Sequence, residues 1–185
     1  MWLDTVRRKY RNELQITWKS FSLEQANSRQ GPDWKIWEQD DITVPHSLVS
    51  LVVGEAAREQ GNAAFERFHI ALLIARHAGH GRIPLNELGP ILEIAREAGL
   101  NIETLQRTIE NPATVAQVGR DHIEAVERYG VFGTPTFVFE GGNAAYLKTF
   151  IPPEAESLAF FEHFAAITAG GGFFGEFLEI WAKKN

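Results

Sequence analysis

Cysteine is absent from the 185 residues. Without a thiol the chain forms no disulfide and offers no thiolate nucleophile, zinc ribbon, iron–sulfur cluster or Cys-x-x-Cys redox pair. Long apolar runs are absent too. The stretch from Ile70 to Ala75 is among the longest, far short of the roughly 20 residues that cross a bilayer, so no membrane partner is expected. Basic charge is in deficit: 18 Lys and Arg face 24 Asp and Glu, for a net charge of −6 and a pI of about 5.5. That balance argues against a nucleic-acid partner, which needs clustered cations to neutralise phosphates. Asp4 puts a charge where a secretory peptide runs apolar, and Arg7, Arg8 and Lys9 follow with no apolar region behind them, so the expected location is the cytoplasm. Internal repeats and low-complexity tracts are missing as well. What remains is an ordinary globular mixture, 44% hydrophobic and 23% charged, long enough for one domain or a small domain carrying a large insertion.

The apolar periodicity changes four times along the chain. Trp2, Val6 and Tyr10 recur at helical spacing among Asp4, Arg7, Arg8 and Arg11, a helix with one buried face that begins with no cap before it. Leu14 to Phe21 alternates apolar and polar residues with β-branched and aromatic members, which predicts a strand. Trp34 and Trp37, three apart, predict a short helical turn docking two indoles. From Pro45 to Arg128 the pattern is helical nearly throughout. Ser47 is placed to cap a helix running to about Gln60, and Asn62 to cap the next, striped by Phe65, Phe68, Leu72 and Ala75. Gly79 to Pro84 breaks that helix. Asn86–Ala98 and Asn101–Glu110 follow, separated by Gly99, and Pro112 opens a last one that ends at Gly130. Thr136–Glu140 and Ala145–Phe150 then read as strands joined by Gly141-Gly142-Asn143, a hairpin. Glu154–Ala169 and Phe174–Lys183 are closing helices. The fold class is α/β with a helical insertion.

Few residue constellations carry chemistry on spacing alone. Gly170-Gly171-Gly172-Phe173-Phe174-Gly175 fits G-x-G-x-x-G in letters, but a helix precedes it and only ten residues follow, so a turn between helices fits better than a dinucleotide site. Glu66 and His69 have the i, i+3 spacing of di-iron bundles, yet no second Glu-x-x-His exists. His77 and His80 flank a glycine break without a carboxylate partner. His46 and Ser47 form no recognisable nucleophile set, and no G-x-S-x-G elbow occurs. No metal and no catalytic side chain is expected.

The one strong local signal is Tyr129-Gly130-Val131-Phe132-Gly133-Thr134-Pro135-Thr136-Phe137-Val138-Phe139. Pro135 stands just before a strand, where it cannot donate to a ladder, and an X-Pro bond tolerates the cis form that makes a tight turn. Gly133 gives the backbone room to bend. Such a turn exposes the main-chain groups of Thr134 at the sheet end, ready to pair with an extended chain. Phe132, Gly133, Thr134 and Pro135 are the candidate substrate-binding residues; the alternative is a sturdy turn into the hairpin and nothing more.

Gly133-Thr134-Pro135-Thr136 and its flanks resemble the proline loop and following strand of the DsbA-like branch of the thioredoxin superfamily. That branch holds FrnE-like dithiol–disulfide isomerases and 2-hydroxychromene-2-carboxylate isomerases. Trp18 to Gln25, Gly31 to Glu38, Phe65 to His69, Arg76-His77 and Ala95 to Leu100 resemble the intracellular FrnE-like members. The resemblance covers about Trp2 to Phe150. It implies a thioredoxin-like sheet with a large all-helical insertion. The expected divisions are 1–44 with 130–185 as the thioredoxin-like part and 45–129 as the inserted helical domain. It also implies that Pro135 is the loop proline and that Thr134 binds the substrate chain through its backbone. In the family a first strand carries a Cys-Pro-Trp-Cys-like motif at the start of the first helix. Trp2 to Arg8 is similar to the middle of that helix, so the strand and cysteine pair are expected upstream of Met1, and the chain as written is expected to be redox-inactive. Two other functions stay open. One is a glutathione-dependent 2-hydroxychromene-2-carboxylate isomerase, with glutathione as cofactor. The other is a non-catalytic homologue that binds extended peptides. The partner expected in the family reading is an extended peptide or a thiol/disulfide substrate, and exposed edge strands favour a homodimer.

Overall fold

The computed structural model describes residues 2–10, 14–78 and 82–169. They are mostly helical, with one two-stranded sheet among the described residues. The chain divides into two compact units: residues 1–17 with 126–185, and residues 18–125.

In the first unit an aromatic cluster holds two helices against a hairpin. α1 (Trp2–Lys9) buries Val6 completely. Its Trp2 ring meets Phe160 edge-on at 5.4 Å and Phe137 at 6.3 Å. Tyr10, just past α1, lies 6.1 Å from Phe161, and its hydroxyl donates to Glu162 Oε1 at 3.3 Å. Burial first, and then the Glu162 charge, raise the Tyr10 pKa. Phe160 and Phe161 belong to α8 (Ser157–Ala169), as does Phe164, which packs edge-on against Phe137 at 5.1 Å. β1 (Thr136–Val138) pairs antiparallel with β2 (Ala144–Tyr146), with Phe137 opposite Ala145. Alternation along β1 sends Phe137 toward those rings and leaves Val138 exposed. Gly141 and Gly142, at φ 102° and 91°, make the connecting turn, a backbone region closed to most side chains.

The second unit is a helical cluster, entered through the short α2 (Leu23–Ala26). α3 (Leu48–Arg58), α4 (Asn62–His77), α5 (Leu88–Glu97) and α6 (Ile102–Ile109) bury Val53, Phe68, Ile91 and Leu105 together. A smaller core joins Ile36, Leu48, Val52 and Val118, flanked by Trp34 and Trp37. Val118 comes from α7 (Pro112–Tyr129), and Ile36 from a 3₁₀ turn at Ile36–Glu38. Both indoles pack on this core, but only Trp37 lies in the helical turn; Trp34 precedes it.

Several expectations are corrected. Leu14–Phe21 alternates inward and outward up to buried Ser20, but it is no strand among the described residues. A strand is defined by a ladder partner, and periodicity supplies only the alternation. The hairpin strands are shorter than predicted. Pro135 O accepts from Leu147 N at 3.1 Å, but proline has no N–H to return, so the ladder stops there and Phe150 is left 95% exposed. Gly61, at φ 94°, takes the cap position intended for Asn62. Ser47 sits at its predicted cap, but its hydroxyl donates to Glu24 Oε2 at 3.2 Å instead. The helix predicted from Asn86 begins at Leu88, which keeps Pro90 within the first turn, where an N–H has no helical partner to lose. α8 starts at Ser157 rather than Glu154. Residues 18–44 fall in the same compact unit as α3 to α6, since Ile36 and its tryptophans share a core with α3 and α7. Gly79, His80, the glycine-rich run 170–175 and the helix predicted at 174–183 lie outside the described residues.

Candidate functional site

The loop before β1 is tied down on one side and open on the other. Thr136 Oγ1 donates to Gly133 O at 2.7 Å, and the Pro135 carbonyl is held by Leu147 N. The Thr134–Pro135 peptide is cis. Gly133 is buried, whereas Thr134 and Pro135 are exposed. Among the described residues no hydrogen bond engages the N–H or C=O of Thr134. An amide exposed at a strand start with both groups open is an unfilled ladder position.

Gly133 is needed for a close approach. A Cβ there would stand 3.1 Å from Tyr146 Cε2, inside ordinary van der Waals separation of about 3.5 Å. Its absence lets the Tyr146 ring lie against the loop, where Phe132 meets it at 5.1 Å between centroids. Phe132 is 61% exposed, so an aromatic surface borders the open amide. The four residues singled out from the sequence therefore form one contiguous feature.

In the helical unit the structure assembles a polar network that periodicity does not announce. Asp121, almost fully buried, accepts from Ser20 N at 3.0 Å, Lys19 Nζ at 3.0 Å and Gln117 Nε2 at 2.8 Å. Burial pulls the Lys19 pKa down, but Asp121 and then Glu124 outweigh it and leave the ammonium above its ordinary value. Ser20 Oγ donates to the buried Glu55 Oε1 at 2.5 Å. Next along α7, His122 Nδ1 accepts from Ser22 N at 3.2 Å, with Phe21 stacked on its ring at 4.6 Å. Burial, then the Lys35 charge, lower its pKa. Two signals could have located this network: Ser20 falls in the inward phase of the 14–21 alternation, and Asp121-His122 continue the buried α7 face of Thr114 and Val118.

The remaining titratable residues do not converge. His69 sits between Trp18, at 4.6 Å, and Phe65, at 5.3 Å. Burial, then the Arg58 charge, push its pKa down to about 4. His77 is exposed at the end of α4. The His46 backbone and Ser47 hydroxyl both turn to Glu24 rather than to each other. No described helix is long and apolar enough to cross a membrane.

The family model described as a DSBA-like thioredoxin domain matches residues 2–164. No curated protein matches the chain.

Proposed function

The chain belongs to the DSBA-like thioredoxin domain family, a family of thiol–disulfide oxidoreductases, and from that premise we propose that Phe132–Pro135 is the substrate-binding half of a thiol–disulfide exchange site. Its substrate is an extended polypeptide that presents a thiol or disulfide. The observation that carries this reading is exposed Thr134 at the start of β1, whose main chain has no hydrogen-bond partner among the described residues. An extended substrate pairs with such an edge by backbone hydrogen bonds, and Phe132 beside it offers an aromatic contact for a side chain.

Exchange proceeds by thiolate attack on a disulfide sulfur through a mixed disulfide. These 185 residues hold no cysteine, so the attacking thiolate is not one of them. The chain's own contribution is to bind and align the substrate strand. Within the family, the block at 18–25 and the Gly133–Thr136 loop support the FrnE-like isomerase branch over the glutathione-dependent one.

Titrating isotope-labelled protein with an unfolded, cysteine-containing peptide tests the proposal. The amide signals of Thr134 and Thr136 should shift saturably, Phe132→Ser should weaken binding at unchanged melting temperature, and the chain alone should reduce no insulin. Saturable shifts elsewhere with Thr134 unmoved would refute the assignment.

A further inference from the structure

Trp18–Ser20, α3, α4 and Leu85 line a partly open pocket of about 170 Å³ within the helical unit. Trp18, Phe65, Leu72 and Leu85 supply apolar walls. The volume is close to that of an engineered cavity of about 150 Å³ that takes up benzene, so it suits a single ring or a short branched chain. Although the whole protein carries −6, Lys19, Arg58 and Arg76 line this space, and among the described residues no Asp or Glu does. A low-dielectric pocket lined by one sign of charge concentrates the opposite sign.

The three cations are not equally occupied. Lys19 is engaged by Asp121 and Glu124, and Arg76 donates to Ile83 O at 2.8 Å. Arg58 is ion-paired to the buried Glu55 yet keeps a donor without an aligned hydrogen bond. Its guanidinium lies 4.2 Å over the Phe65 ring. Its Nε stands 3.0 Å from Glu55 Oε2 without hydrogen-bond alignment, and that buried N–H has no acceptor among the described residues. Buried donors without acceptors are rare enough to require an explanation, and a planar guanidinium is suited to grip a carboxylate by two parallel bonds. His69, also on the wall, is held neutral at pH 7 by burial and by Arg58, so it adds no competing charge and keeps a hydrogen-bonding ring. Gly54 completes the picture. It lies inside α3, where alanine would hold the helix better, yet a Cβ there would meet nothing within 4 Å. The space it leaves belongs to the cavity it lines.

We propose that this cavity binds a small organic monocarboxylate, its carboxylate on Arg58 and its compact apolar body against Trp18, Phe65, Leu72 and Leu85. The walls favour a carboxylate over a bare inorganic anion, because only the former gains from the apolar contact.

The test uses the 185-residue chain, benzoate as probe, benzyl alcohol as its neutral counterpart and inorganic phosphate as the bare anion, read by calorimetry and amide shifts. Benzoate should bind saturably, shifting Trp18, Arg58 and His69, and benzyl alcohol and phosphate should each bind at least about tenfold more weakly. Arg58→Met should cost benzoate a similar factor. Gly54→Leu should abolish binding while its melting temperature stays at or above that of the parent. Benzyl alcohol or phosphate binding as well as benzoate, or undiminished binding by Gly54→Leu, would overturn the proposal. So would no saturation at roughly 10 mM, beyond the millimolar range that weak contacts reach.

Discussion

Gly54 and Gly119 are both interior helical glycines of the same unit, and the structure gives the same substitution opposite signs at the two positions. Replacing a mid-helix glycine by alanine recovers about 0.5–1 kcal/mol of backbone entropy and helix propensity. At Gly54 nothing opposes that gain, since an added Cβ meets no atom within 4 Å. At Gly119 the Cβ would stand 2.7 Å from Trp37 Cδ1 and Nε1 and 2.9 Å from Cε2. Ordinary contact is about 3.5–4.0 Å, so the indole has to retreat by roughly 1 Å. Trp37 cannot retreat freely, because it packs on Ile36, Leu48, Val52 and Val118 and lies 5.2 Å from the His122 ring. Overpacking of this kind costs about 1–3 kcal/mol. Set against the helix gain, it leaves Gly119→Ala about 1 kcal/mol less stable than the parent, and Gly54→Ala about 0.5–1 kcal/mol more stable. At about 2–4 °C per kcal/mol for a chain of this size, the two variants should melt several degrees apart, on either side of the parent. Urea titrations followed by tryptophan fluorescence, with unchanged slope, measure the difference directly. If Gly119→Ala proves as stable as Gly54→Ala, the indole is not seated on α7 as described.

The other predictions concern the buried polar groups and the loop. His69, with a folded pKa of about 4 against about 6.5 unfolded, leaves stability untouched above pH 6.5 and drains it as the pH falls toward 4. The loss reaches about 3 kcal/mol at the low end, and His69→Gln should remove that share of the acid sensitivity in urea titrations at pH 7, 5 and 4. Asp121→Ala orphans the buried Ser20 N–H and releases Lys19 and Gln117, so it should cost about 3–5 kcal/mol. Lys19→Met, at a half-exposed partner, should cost less than about 1. Gly133→Ala presses on Tyr146 at 3.1 Å but at a partly exposed ring that can yield. It should cost under about 1 kcal/mol while visibly moving the Phe132 and Tyr146 ring signals and weakening peptide binding at Thr134.

The helical stretches were legible because each carries its own signal. Asn101 caps α6 as its position suggests, its side chain accepting from Thr104 N at 2.8 Å, and Pro112 opens α7, as a residue without an N–H can only at a helix start. The loop Phe132–Pro135 was legible for the same reason, since Gly-x-Pro before an alternating run constrains only its own backbone. Ser47 keeps its cap position while its hydroxyl turns to a tertiary partner, Glu24, whereas Asn62 yields the cap to Gly61.

By itself, the sequence determined where helices can start and stop, which face of each is apolar, that no sulfur chemistry originates in these residues, and which short loop can offer an open backbone. Only the tertiary structure decided that Leu14–Phe21 has no ladder partner among the described residues, that Asp121 receives Ser20 and Lys19 from about 100 residues away, and that Arg58 and His69 face a common cavity. Local conformation follows from a residue and its near neighbours, so it is written in order along the chain. Pairing, desolvation and enclosure depend on which distant segments meet, and that is fixed only when the cores close.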